Sequence, residues 1–137
     1  MNAHLLETLK HNFDIEMDES SLLNLLIAII DLSPSIIFVK DDEGRYLIVN
    51  QEFEKYFCLR QSDIVGKTDF DIMSKDDAQD CVDSDQPAKS FIGDIHSAIE
   101  LKETEGGDIQ SYLSVNKRVI TTALGNLLIG IVAEVKI

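Results

Sequence analysis

Apolar and polar positions change period several times along this chain, and each change marks an element. Leu5, Leu6 and Leu9 share one face of a short helix predicted over 3–12. A polar, acidic break follows at Asp14, Glu16, Asp18 and Glu19. Ser20 or Ser21 can cap a second helix over Leu22–Leu32, whose leucines and isoleucines fall on more than one face. A helix apolar on several sides needs cover on several sides. The expected arrangement shares it between its own sheet and a second subunit through Leu22, Leu23, Leu26, Ile29 and Ile30. Pro34 ends the helix, because it lacks an N–H and restricts Ser33.

From there short β-type runs begin. Ile36–Lys40 and Arg45–Val49 flank the turn Asp41-Asp42-Glu43-Gly44 and predict a β-hairpin. With Lys40 read as facing solvent, Ile37 and Val39 fall on the side opposite Ile36 and Phe38. Asn50 is placed to cap a helix over Gln51–Leu59, with Phe53 and Phe57 four residues apart on one face. Gly66 breaks the chain, and Asp69 and Asp71 read as caps of a short turn rather than as an acid/base pair. Residues 74–90 are helix-compatible but polar and interrupted by Pro87, so a mobile, solvated acidic surface is expected there. The last third alternates again: Ile95–Leu101, a turn at Glu105-Gly106-Gly107-Asp108, Ile109–Val119, and Leu127–Lys136 beyond a loop at Gly125-Asn126. Three strands so joined form an antiparallel meander.

Composition narrows the function classes. With 137 residues the chain is one domain long and needs no staple to bury a core. Twelve basic against 25 acidic residues give a net charge of −13, which argues against nucleic acid or an anionic membrane as a partner. Leu22–Leu32 reaches only about half the ~20 residues of a membrane span, and the N-terminus lacks a signal peptide's basic-then-apolar order, so a cytoplasmic location is expected. Cys58 and Cys81 stand 23 residues apart, without metal-site spacing. Cys58 reads as packing, and Cys81 as an unreactive thiol beside Asp80 and Asp83. On alternation His96 is expected on the solvent face. The acidic run Asp76, Asp77, Asp80, Asp83 and Asp85 lacks calcium-loop spacing. Nothing suggests a nucleophile–base pair or phosphate loop, so no enzyme is expected.

The order of elements, together with particular residues, resembles the PAS domain family of sensory modules. Those residues are Asp31-Leu32-Ser33-Pro34-Ser35, Ile37-Phe38-Val39-Lys40-Asp41, Gly44-Arg45-Tyr46, Val49-Asn50-Gln51-Glu52-Phe53, Ile64-Val65-Gly66-Lys67-Thr68-Asp69-Phe70-Asp71 and Gly130-Ile131-Val132. The resemblance covers about Leu22 to Lys136. It implies an α+β fold: a five-stranded antiparallel sheet with short helices on one face and an N-terminal helix. Residues 1–20 are then an acidic extension with a short helix, and 21–137 the PAS-like domain with helix 21–33 as its N-terminal cap. It also implies a pocket between sheet and helices, dimerisation through the N-terminal helix, and a place in signal transduction or transcription regulation. Ile37, Val39, Asn50, Phe53, Phe57, Phe70, Met73, Phe91 and Tyr112 are the expected pocket residues. Neither cysteine lies in the Asn-Cys-Arg-Phe-Leu-Gln type of motif of flavin photosensors, and residues 74–90 contain no histidine to ligate haem. Neither chemistry is expected, and no particular cofactor is implied. Side-chain volume does not separate a cavity from a filled core, so a small-molecule sensor and a ligand-free docking module both stand.

Overall fold

The computed structural model describes residues 3–13 and 18–137, with the side chains of Ala3, Leu6, Leu9 and Phe13 left aside. The expected roles of Leu6, Leu9, Asp14 and Glu16 lie outside the described residues. The chain forms two compact units, residues 1–30 and 31–137.

The first unit holds helix α1 (Ala3–Phe13) and most of helix α2 (Glu19–Asp31). The cap of α2 is Asp18 rather than Ser20 or Ser21: its carboxylate accepts the Ser21 N–H at 2.6 Å. That hydrogen bond holds the Asp18 carboxyl below the usual range. On α2, Leu22, Leu23, Leu26 and Ile29 are exposed and Ile30 is buried. No helix among the described residues is long and apolar enough to cross a membrane.

The second unit is built on one antiparallel sheet. Its strands are β1 (Ile36–Lys40), β2 (Tyr46–Val49), β3 (His96–Glu103), β4 (Ile109–Thr122) and β5 (Gly125–Lys136), in the order β2-β1-β5-β4-β3. The C-terminal strand therefore lies beside β1 at the centre, with Phe38 opposite Gly130. Four helices connect β2 to β3: α3 (Gln51–Phe57), α4 (Gln61–Ile64), α5 (Asp69–Ile72) and α6 (Lys75–Ser90). This is the expected α+β arrangement of five strands and short helices.

Local chemistry explains the junctions. Asn50 is fully buried; its Oδ1 accepts the Phe53 N–H at 3.2 Å and the Ile37 N–H at 3.0 Å, and its amide donates to the Ser35 carbonyl at 2.8 Å. One side chain thus caps α3 and pins the start of β1. Phe38, Tyr46 and Phe53 meet edge to face with centroids 5.1 to 6.2 Å apart, and Phe53 stacks on Phe57 at 4.6 Å. Phe38 lies flat over Gly130, where an added Cβ would come within 2.2 Å of the ring. Only glycine leaves room for the ring at that position.

Helix α6 departs from expectation. It runs unbroken through Pro87 for 16 residues, where an interruption was expected. Proline removes a single helix hydrogen bond, while Ala78, Asp85 and Ala88 on the sheet-facing side are all buried. Tertiary anchoring on both sides of Pro87 outweighs the local loss.

Candidate functional site

A cavity of about 390 Å³ lies between the inner face of the sheet, α3 and α6. The strand period decides which residues reach it. Ile36, Phe38 and Lys40 share one face of β1 and all line the cavity. On β4, Leu113, Val115 and Lys117 point the same way, as Glu100 does on β3 and Val132 on β5. The helices add Phe53, Tyr56 and Phe57 from α3, Met73 after α5, and Asp77, Asp80, Cys81, Ser84 and Asp85 from α6.

The inner end of the cavity is a buried charge cluster. Lys40 Nζ donates to Asp69 Oδ2 at 2.6 Å and to Asp85 Oδ2 at 2.9 Å. Lys117 Nζ donates to Asp85 Oδ1 at 2.6 Å and to Ser84 Oγ at 2.5 Å. The Tyr46 hydroxyl donates to the other oxygen of Asp69. Lys40, Asp69 and Asp85 are each at most 3 % exposed. Two cations and two anions balance, as burial at this depth demands. The cluster also ties β1 to α5 and α6, and β4 to α6.

Protonation follows from this packing. Burial by itself would lower the pKa of Lys40, but attraction to Asp85 and Asp69 outweighs it and the net shift is upward. Burial, reinforced by Asp69, pushes the Tyr46 phenol upward too. Cys81, whose Sγ lies 3.7 Å from the Met73 sulfur, is also raised. The leading cause is burial, then Asp69, opposed by Lys40 and Lys117, and not the neighbouring Asp80 and Asp83. Its thiol is therefore a poor nucleophile.

Several expected positions move. Ile37 and Val39 lie on the opposite face of β1, and Tyr112 on the opposite face of β4 from Leu113, so none of the three reaches the cavity. For Ile37 and Val39 the root is Lys40, which faces the interior, so β1 has the reverse parity. Phe70 and Phe91 are exposed and lie away from the cavity, and Asn50 is a structural cap. Phe53, Phe57 and Met73 do line it. Asp69 is not a cap; Thr68 and Asp71 close the box at the start of α5, and Asp69 turns inward to Lys40. Asp85 likewise leaves the acidic surface for the interior. His96 sits on the cavity side of β3 opposite Lys117, half-buried against Phe91 at 5.6 Å, where the solvent face was expected. Cys58 is exposed in a left-handed conformation that ends α3, instead of packing.

Lys40, Tyr46, Asp69, Asp85 and Lys117 were not legible as a site. The available signal was the alternation itself. Lys117 shares its face with Val115 and Val119, and Lys40 with Ile36 and Phe38, positions where a lysine must find an acid. Among the described residues no three His, Cys, Asp or Glu side chains are grouped to hold a metal.

Comparison with known proteins places this architecture. No curated protein matches the sequence. Among solved structures, the PAS domain of an HTR-like protein from Haloarcula marismortui is 18% identical with a TM-score of 0.56, over 85% of this chain and 93% of that one. The PAS domain of BvgS from Bordetella pertussis is 19% identical with a TM-score of 0.57, over 85% and 86%. The VqmA dimer of Vibrio cholerae is 19% identical with a TM-score of 0.62, over 82% of this chain and 51% of that one. The PAS fold family itself matches residues 30–132, three-quarters of the sequence. With its five-stranded sheet and helix-covered cavity, the chain belongs to the PAS family of sensory and signalling domains.

Proposed function

We propose that this chain is a cytoplasmic sensory module without chemistry of its own. It takes up a small molecule in the cavity and signals through a homodimer formed by its N-terminal helix, within a regulator of signal transduction or transcription. The cavity carries the reading. Its 390 Å³ falls within the range of small-molecule sites, and it joins aromatic walls to a few convergent polar groups. A filled core would leave no such space. The exposed leucines and isoleucine of α2 favour a second copy as the signalling partner. The structural neighbours include a PAS domain from a two-component sensor histidine kinase and a dimeric LuxR-type receptor with a target DNA.

Native mass spectrometry of the protein purified from its own host tests both parts. An added mass lost on denaturation, on a dimer, is the expected result. Re-addition of the released compound at about 100 times its Kd should stabilise the fold by ~2.7 kcal/mol. A bare monomer with no ligand-dependent stability would overturn the reading.

A further inference from the structure

We infer that the cavity selects a small organic cation, a protonated amine on an apolar or aromatic body. This deepens the sensory reading above and rests on it. The asymmetry lies in which charges have partners. Both lysines at the cavity are already matched: Lys40 by Asp69 and Asp85, and Lys117 by Asp85 at 2.6 Å. An anionic ligand would meet two lysines whose charge Asp69 and Asp85 already balance, and so would add an unmatched negative charge to a buried neutral cluster, which interiors strongly disfavour. The carboxylates nearer solvent are in the reverse condition. Asp77, Asp80 and Glu100 line the same cavity and form no ion pair among the described residues. The unbalanced charge of the cavity is therefore negative, in a chain that is itself strongly acidic.

The walls suit the same ligand. Phe57 and Tyr56 line the same cavity as those carboxylates, and aromatic rings attract ammonium groups. The chain itself shows this: the Lys102 ammonium sits 5.7 Å from the centre of the Tyr56 ring, its charge met by Glu134 at 4.0 Å. A ligand amine held by the outer carboxylates directs its apolar body inward, toward Phe53, Phe57 and Val115.

The test uses three probes of one shape and different charge on the whole chain: phenethylamine, 2-phenylethanol and phenylacetate. Affinity is read by calorimetry and by melting temperature, at low and physiological salt. Only the amine should bind measurably, and salt should weaken it. In the triple variant D77N/D80N/E100Q its affinity should fall about tenfold, since each exposed ion pair contributes up to a few-fold. A control variant, E43Q/E105Q/D108N, removes the same charge in turns away from the cavity and should lose less than about twofold. Equal or tighter binding of phenylacetate or 2-phenylethanol, or equal losses in the two triple variants, would overturn the assignment. Binding of none of the probes would overturn it too. A non-covalent mass in the native spectrum would then leave the sensory reading standing, whereas bare protein would remove both.

Discussion

Replacing Lys40 with methionine probes the buried charge cluster most directly. The substitution keeps an unbranched apolar stem between Phe38 and Tyr46 and deletes the ammonium. Asp69 and Asp85 each lose a donor, at 2.6 and 2.9 Å, in surroundings with almost no solvent. Each keeps one partner, Tyr46 for Asp69 and Lys117 for Asp85. Removing one member of a buried pair costs ~3–5 kcal/mol, and the surviving partners put K40M at the lower end, ~3 kcal/mol. A domain of this size should lose ~10–20 °C in Tm. The cluster would then hold one cation and two anions. K40M/D69N restores one against one and should recover at least about half of the loss. Urea unfolding followed by circular dichroism at pH 7 measures all three proteins, with an unchanged m-value confirming the same fold. A loss below ~1 kcal/mol for K40M, or a double variant no better than the single one, would refute the account.

The same residue sets a pH dependence. Its folded pKa lies above the ordinary 10.5, so the unfolded chain releases this proton first as pH rises. The contribution of Lys40 is thus complete below pH 10.5 and lost as pH climbs through the higher folded value. Tyr46, also raised, adds a loss of the same sign that begins near its ordinary 10.0. The difference between wild type and K40M should be flat near neutrality and shrink only above about pH 10.5.

Three further outcomes are expected. Gly130→Ala drives a methyl into the Phe38 ring and should cost ~1–3 kcal/mol, with much of it recovered in G130A/F38L; an unchanged Tm would show that the ring is not confined there. Asn50→Ala removes the α3 cap and strands the Ile37 N–H and the Ser35 carbonyl, a loss of ~2 kcal/mol or more by denaturant titration. In a thiol-titration time course at pH 8, exposed Cys58 should react well before Cys81, whose pKa is raised, and the order should reverse for neither thiol until the protein unfolds.

Much of the architecture was legible because it rests on local rules. The short apolar run Ile36–Val39 and the alternation from Ile95 onward mark strands wherever they pair, Asn50 caps α3 with atoms of its own, and Gly44 turns a hairpin two residues before Tyr46. The charge of −13 and the wide cysteine spacing needed no coordinates at all. The face each strand presents is different. A period of two names two faces without saying which is inside, and with Ile36, Ile37, Phe38 and Val39 all apolar the choice hung on Lys40. Lysine alone favours solvent by a wide margin. What reverses it is the arrival of Asp69 and Asp85, 29 and 45 residues further on, within 3 Å of the same ammonium. The same long-range pairing carries α6 through Pro87 and turns a run of aspartates into one wall of a cavity. Sequence by itself determined the elements and their order, since these are decided within a few residues of one another. Only tertiary structure decided which charges are buried and where the space is left, because both depend on distant groups meeting at atomic range.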